Sequence, residues 1–416
     1  MTTARRRAAV LAASAVLAAA VVPAAAPAAS AATSPPPSPP AAVTPSGLYG
    51  TTDPAYDGVW RQSLALLAQD TVGVRPAGKA VDWLTGQQCD SGAYPSYRAD
   101  MSGPCDPKLP LDSNATAAAV QALVALGGQD TAVKKSVAWL KSVQNADGGW
   151  GYNPGGASDA NSTSVVIGAL AAAGEKPDAM VSKGGKSPYD ALLTFARPCG
   201  GKDGGAFVFQ PQQPGVVADS TAAAVIGAHG KGLVVTAGAK DPGGAVCKPA
   251  TTARGAAHNG GAYLATALAK TGHLNAPPMP GATDTTVKPD VGNTADAVVA
   301  LSAQGLTEQA EKSLGWLEQH AAAWAKESGP AAYAQLIFAA HATGTDPKDF
   351  GGTDLVAALN ATGPAPQLTV TDTAREKQRD EKKDDTGVGV WWIVGAFFAA
   401  SVGAGILLSG RRKSRP

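Results

Sequence analysis

Charge is scarce in this chain. Asp, Glu, Lys and Arg make up 16% of its 416 residues, and the formal net charge is +1. That excludes the broad basic face of a nucleic-acid binder. Runs of alternating β-branched residues are missing between residues 48 and 362, so sandwich and barrel folds drop out and an all-α reading remains. Cysteine is sparse too: Cys89, Cys105, Cys199 and Cys247 are the four, and no two stand at the C-x₂-C spacing of a zinc site. The five histidines, His229, His258, His273, His320 and His341, have no cysteine or carboxylate at metal-ligand or catalytic spacing.

What is present begins at the ends. Arg5-Arg6-Arg7, an apolar run and then Ala29-Ser30-Ala31 have the layout of a signal peptide over residues 1–32. Sec and twin-arginine export both stay open. Residues 33–47 form a Pro-rich linker, and residues 363–387 a charged stalk. The apolar stretch 388–409, with Trp391 and Trp392, is long enough to cross a bilayer as a helix. Its basic tail, residues 410–416, would then lie in the cytoplasm. A sortase signal is the rival for Thr386-Gly387, but Asp384-Asp385 stands where its Leu-Pro-x would be. The expectation is an exported domain, residues 48–362, held outside the cell membrane by one C-terminal helix. Outside the cell an even cysteine count favours disulfides. Of three possible pairings, nearness in sequence favours Cys89–Cys105 with Cys199–Cys247.

The domain repeats itself. Trp83-Leu84, Trp139-Leu140 and Phe195-Ala196 fall at steps of 56 residues, and each is followed by a glycine turn that presents an aromatic: Tyr94, Trp150 and Phe207. Val137, Leu140 and Gln144 share one helical face before Gly148-Gly149 ends the pattern. Helices of this aromatic kind, with Tyr263-Leu264 and Trp316-Leu317 as later members, carry a polar side for water. A second kind is rich in alanine and opens on polar residues at Asp112, Asn161, Asp219 and Asn293; 331–342 is a weaker copy. Helices apolar on all sides are buried. Strict alternation of the two kinds, with Val59–Gln69 first and 353–360 last, gives twelve helices in two concentric layers of six, an (α/α)6 toroid. An open stack of helix pairs is the alternative.

Lys135-x₃-Trp139-Leu140-x₃-Gln144-x₂-Asp147-Gly148-x-Trp150 resembles the QW repeat of terpene cyclases, also known as the prenyltransferase and squalene-oxidase repeat. Lys79 to Tyr94 is a looser copy. The resemblance implies the α/α toroid of the superfamily that holds terpenoid cyclases, protein prenyltransferases, complement thioester domains and cobalamin carriers. It also implies that Gln144 and Trp150 tie helix ends together. The chemical residues of those enzymes do not carry over: the helical region has no Asp-x-Asp-Asp, no Cys-Gly-Glu-Gln and no zinc set of Asp, Cys and His.

The connections into the alanine-rich helices are mostly long (89–112, 145–160, 197–218 and 271–292), which marks one rim as the working face. On that rim Tyr94, Trp150, Tyr152 and Phe207 are candidates for stacking on a ligand. Asp112, Asn161, Asp219 and Asn293 are candidates for polar contact, with N-capping as their competing role. Free N–H groups at the inner-helix starts would favour an anionic or carbonyl-bearing ligand. The function expected is a non-catalytic, cell-surface ligand-binding protein, with a corrinoid such as cobalamin or another bulky small molecule as ligand and no cofactor or metal. The stalk leaves no room for the β-rich second domain of the cobalamin carriers. Two alternatives stand beside it: a cyclase-like or polysaccharide-acting enzyme using Asp159, Asp203 and Asp219, and a wall scaffold or adhesion protein.

Overall fold

Polar caps and glycine stops divide the described residues into twelve α-helices: α1 (Pro54–Thr71), α2 (Gly78–Gly86), α3 (Ser113–Leu126), α4 (Asp130–Ser142), α5 (Ala160–Ala172), α6 (Pro188–Phe195), α7 (Val217–Ala228), α8 (Ala253–Leu268), α9 (Val291–Gln304), α10 (Thr307–Ser328), α11 (Pro330–Thr343) and α12 (Leu355–Asn360). The computed structural model describes residues 46–241, 243–276 and 286–367, all within one compact unit that ends at Gln367. The signal segment, nearly all of the Pro-rich linker, most of the stalk, the apolar run 388–409 and the basic tail lie outside the described residues. Among the described residues no helix is long and apolar enough to cross a membrane.

The caps follow side-chain chemistry. Asp53, Asp112, Asp159, Ser187, Thr252, Asp290 and Asp354 each accept a hydrogen bond from a backbone N–H in the first turn of the helix they precede. Each such cap contributes on the order of 1 kcal/mol. The odd-numbered helices then pack in a closed circuit. Helix α1 lies on α3, α3 on α5, α5 on α7, α7 on α9, α9 on α11, and α11 returns to α1. The even-numbered helices surround that ring and keep a wet side; in α4, Val137 and Leu140 are buried while Lys134, Lys135 and Lys141 are exposed.

Alanine is what lets six helices share one ring. In α3 all residues from Ala115 to Leu123 are buried, and short side chains allow helix axes to approach to ~8 Å. Contacts at matching depths show that the inner helices run side by side in one direction. Asn161 meets Asp219 near the starts of α5 and α7, and His229 meets Gln304 near the ends of α7 and α9.

The glycine turns lock each outer helix to the next. Trp150 Nε1 donates to the Leu140 carbonyl oxygen at 2.7 Å, capping the end of α4 with a fully buried indole. Gly148 has φ +91°, and a Cβ there would collide with the Ser187 carbonyl oxygen ahead of α6. Beyond each turn the backbone bends inward and is caught by a threonine. The N–H groups of Tyr94, Trp150, Phe207 and Leu274 donate to Oγ1 of Thr116, Thr163, Thr221 and Thr294, at 2.9–3.1 Å. One device used four times is the physical content of the repeat. Two short antiparallel pairs reinforce it: β1 (Tyr94–Pro95) with β2 (Leu111–Asp112), and β3 (Leu274–Ala276) with β4 (Lys288–Asp290).

The connection from α7 to α8 is different and closes one end of the ring. Leu233 N–H donates to Gln121 Oε1 of α3 at 2.7 Å, and Gly238 N–H to the Ser302 carbonyl of α9 at 2.8 Å. Gly168 of α5 has no Cβ because the backbone of Gly232 lies against it. Residues 230–241 thus form a floor across the C-terminal ends of the inner helices. Disulfides join Cys89 to Cys105 and Cys199 to Cys247, the pairing favoured by sequence distance, with Cα–Cα separations of 5.5 and 5.8 Å. The second bridge ties the connection after α6 to the one after α7.

Candidate functional site

A cavity of about 210 Å³ lies inside the ring, and all six inner helices contribute to its wall. Its sides are apolar: Trp60 and Leu64 from α1, Val165 from α5, Ile226 from α7, Val299 from α9 and Phe338 from α11. Leu233, Lys231 and Gln121 stand at the floor, with Lys231 Nζ donating to the Thr236 carbonyl at 3.2 Å. The polar residues gather near the inner-helix N-termini: Asn114, Asn161, Asp219, Asp296 and Gln335.

Helix register puts them there. Asp112, Asp159 and Asp290 are the N-caps and turn their carboxyls back onto their own helices. Asn114, Asn161, Asp219 and Asp296 lie within the helices that follow, about two to six residues beyond the cap, and line the cavity. Helix α7 begins at Val217 with Val216 as its cap, so the Asp219 carboxyl is free of capping work.

Two carboxyls dominate the electrostatics. Asp219 Oδ2 accepts from Asn161 Nδ2 at 2.6 Å. Asp296 accepts from Gln335 Nε2 at 3.1 and 3.3 Å. Neither has an ion-pair partner among the described residues. Burial therefore pushes Asp219 up to about 6, against the pull of the Asn161 amide, with nearby Asp290 adding to the rise. Burial likewise lifts Asp296 to about 7; repulsion from Asp219 and Asp290 adds to this, and the Gln335 amide opposes it. Asp159, raised to about 6 chiefly by burial, feels Asp219 as well. Near neutral pH the pair shares protons and does not carry two full charges.

Outside the polar level is a groove of about 240 Å³ lined by Tyr56, Asp57, Trp60, Ser96, Asp112, Asn114 and Tyr152. Trp60 and Asn114 belong to both spaces, so groove and cavity adjoin. Ser96 Oγ donates to Asp112 Oδ2 at 3.2 Å, and burial together with the Asp112 charge pushes the Tyr152 phenol to about 12. Arg61, beneath the groove, is fully engaged by Asp57, Thr52 and the Tyr49 carbonyl.

The residues singled out from sequence separate into five places. Asn161 and Asp219 meet in the cavity; Asp112 and Tyr152 meet in the groove. Tyr94, Trp150 and Phe207 are buried in the wall, at 0%, 1% and 0% exposure, and present no face to a ligand. Asn293 is held by the α9 cap, its Nδ2 on Asp290 Oδ2 at 2.7 Å. Asp203 sits in a glycine turn at φ 58° beside the Tyr263 hydroxyl and does not line the cavity. The N-termini also differ from the anion-friendly rim expected, because three aspartates already occupy their N–H groups. Sequence reasoning missed Trp60, Asn114, Asp296, Gln335 and Phe338. A lone carboxylate within the otherwise apolar Ala-Asp-Ala-Val-Val stretch was the available signal for Asp296.

No family model matches the chain. Over 71 residues, 17% of the chain, it is 41% identical to drimenyl diphosphate synthase from Streptantibioticus cattleyicolor. The match spans about 12% of that enzyme's length. The helical fold is consistent with a terpenoid-cyclase-like architecture.

Proposed function

We propose that residues 48–362 are an (α/α)6 toroid of the QW-repeat kind, displayed outside a membrane, and that its central cavity binds a small, ring-sized molecule. The closed circuit of inner helices around a floored cavity carries this reading. Wall chemistry supports it: apolar sides meet a few convergent polar groups, the usual composition of a ligand site. Size limits the ligand. Drug-sized sites occupy roughly 300–1,000 Å³, whereas dry apolar cavities of ~150 Å³ take up benzene. At about 210 Å³ the cavity suits one ring with a short substituent. A corrinoid is far too large to enter, so it could be held only across the outer groove. Titrating the full chain with toluene, followed by tryptophan fluorescence, tests the reading. Uptake by the parent protein and its loss in Ala223→Phe, which fills the cavity from α7, is the expected result. Equal response from both proteins rejects it.

A second reading is acid catalysis on an unsaturated hydrocarbon, as the alternative to a binder. Asp296, raised to about 7 by burial and by repulsion from Asp219, keeps its proton below neutral pH and is the group that would donate it, and the short similarity to drimenyl diphosphate synthase favours this chemistry. Product analysis after incubation with prenyl diphosphates checks it. An acid mechanism loses rate as pH rises past 7, and no turnover between pH 5 and 8 removes it.

A further inference from the structure

The hydrogen-bond inventory around the cavity is unbalanced. The amide oxygens of Asn114 and Asn161 are buried with no partner, and both residues line the cavity. Asn161 cannot be turned to cure this: its NH₂ faces Asp219, and an ionised carboxylate only accepts. Asn114 Oδ1 is orphaned likewise, although the backbone N–H of the same residue donates to Asp112 Oδ1. Asp219 and Asp296 have further lone pairs, with a single amide donor each. What is missing is a donor, since the orphaned atoms are acceptors. A buried acceptor without a partner is destabilising, so a ligand that supplies donors gains by satisfying it.

Charge gives the second half of the argument. The N-terminal end of the ring gathers Asp112, Asp159, Asp219, Asp290 and Asp296. Three of these answer the helix N–H groups as caps, leaving the Asp219 and Asp296 carboxyls as surplus. Lys231, at the floor, is the one lysine in the lining and feels Arg254, not the aspartates. The adjoining groove adds Asp112 with the tyrosines Tyr56 and Tyr152, while its Asp57 is ion-paired with Arg61 beneath it. Trp60 and Phe338 put aromatic rings in the lining, a side-chain type that attracts a cation.

We propose that the cavity takes an organic cation: an ammonium group on a ring-sized apolar body, the ammonium seated on Asp219 and Asp296. This rests on the ligand-binding reading above. An ammonium brings three donors and a positive charge, the two things the site lacks, and the apolar walls receive the rest. The elevated affinity of the two carboxyls for protons fits the same shortage of positive charge around them.

Calorimetric titration of the full chain with phenethylammonium, 2-phenylethanol and 3-phenylpropionate decides it, with toluene as the control for the cavity itself. At pH 8 phenethylammonium is expected to bind at least tenfold more tightly than 2-phenylethanol, and 3-phenylpropionate not at all. Lowering the pH to 5, or substituting Asp219→Asn, is expected to weaken the ammonium at least tenfold while toluene is unaffected. If the alcohol binds as tightly as the ammonium, or the ammonium ignores both pH and Asp219→Asn, the inference is overturned and the cavity reading stands. If toluene also fails to bind, both fall together. The acid-catalysis reading has the opposite pH dependence, so the two uses of the aspartates separate in one experiment.

Discussion

Replacing Asp296 by asparagine should stabilise this protein above neutral pH. Asparagine has nearly the same shape, keeps an oxygen for the Gln335 amide to donate to, and cannot ionise. In the folded chain the Asp296 carboxyl titrates at about 7, against ~3.9 in an unfolded chain. Because the folded value is the higher one, the folded state keeps a proton that the unfolded state has already released between pH 4 and 7. Stability therefore falls as pH rises through that window and levels off above it. A difference of ~3 units at ~1.4 kcal/mol each amounts to ~4 kcal/mol at pH 8, an upper bound because the carboxyl faces a cavity and not close-packed protein. At ~2 °C per kcal/mol for a domain of this size, the variant should melt up to ~8 °C above the parent at pH 8. At pH 4 the two should agree to within ~2 °C, since both side chains are then neutral. Thermal unfolding of the full chain by circular dichroism, at intervals from pH 4 to 8.5, measures the divergence. If the parent and Asp296→Asn curves stay parallel, the carboxyl is not buried without a counter-charge, and the electrostatic account of the cavity fails.

Other outcomes follow from the wall of the ring. Trp150→Phe removes the donor to the buried Leu140 carbonyl and leaves a void, so a loss of ~2–4 kcal/mol is expected in chemical denaturation. Gly148→Ala should cost more than ~1 kcal/mol, because its φ is +91° and its Cβ would strike Ser187. Gly315→Ala, in the middle of α10 with open space around it, should instead gain ~0.5–1 kcal/mol. Both changes are read from the midpoint in urea. Replacing Cys89 and Cys105 by alanine opens a loop of separation 16 and should lower stability by ~3 kcal/mol, and maleimide labelling of the denatured parent should find no free thiol at any of the four cysteines.

Much of the architecture was legible in the residues. Helix number, the alternation of a wet and a dry kind, and the pairing of the cysteines follow from local signals: glycine after the aromatic helices, polar residues at the openings of most alanine-rich ones, and cysteines close in sequence. These work over a few residues, and the four threonine clasps at Thr116, Thr163, Thr221 and Thr294 repeat them in register. The site was legible only in part. Asp112, Asn161, Asp219 and Asn293 look alike in sequence, each opening an alanine-rich stretch. A shift of one to three residues in where the helix begins decides which of them caps and which turns inward, and that shift depends on how the preceding connection is held.

Sequence alone fixed that the helices form and which of their faces are apolar, because caps, stops and periodicity act within a turn or two of chain. Tertiary structure decided that the circuit closes, α11 returning to α1 across the whole chain. It also laid residues 230–241 across one end and set Asp219 and Asp296 near each other without a cation. Those outcomes depend on groups 60 or more residues apart in the chain, whose separation in space no local pattern encodes.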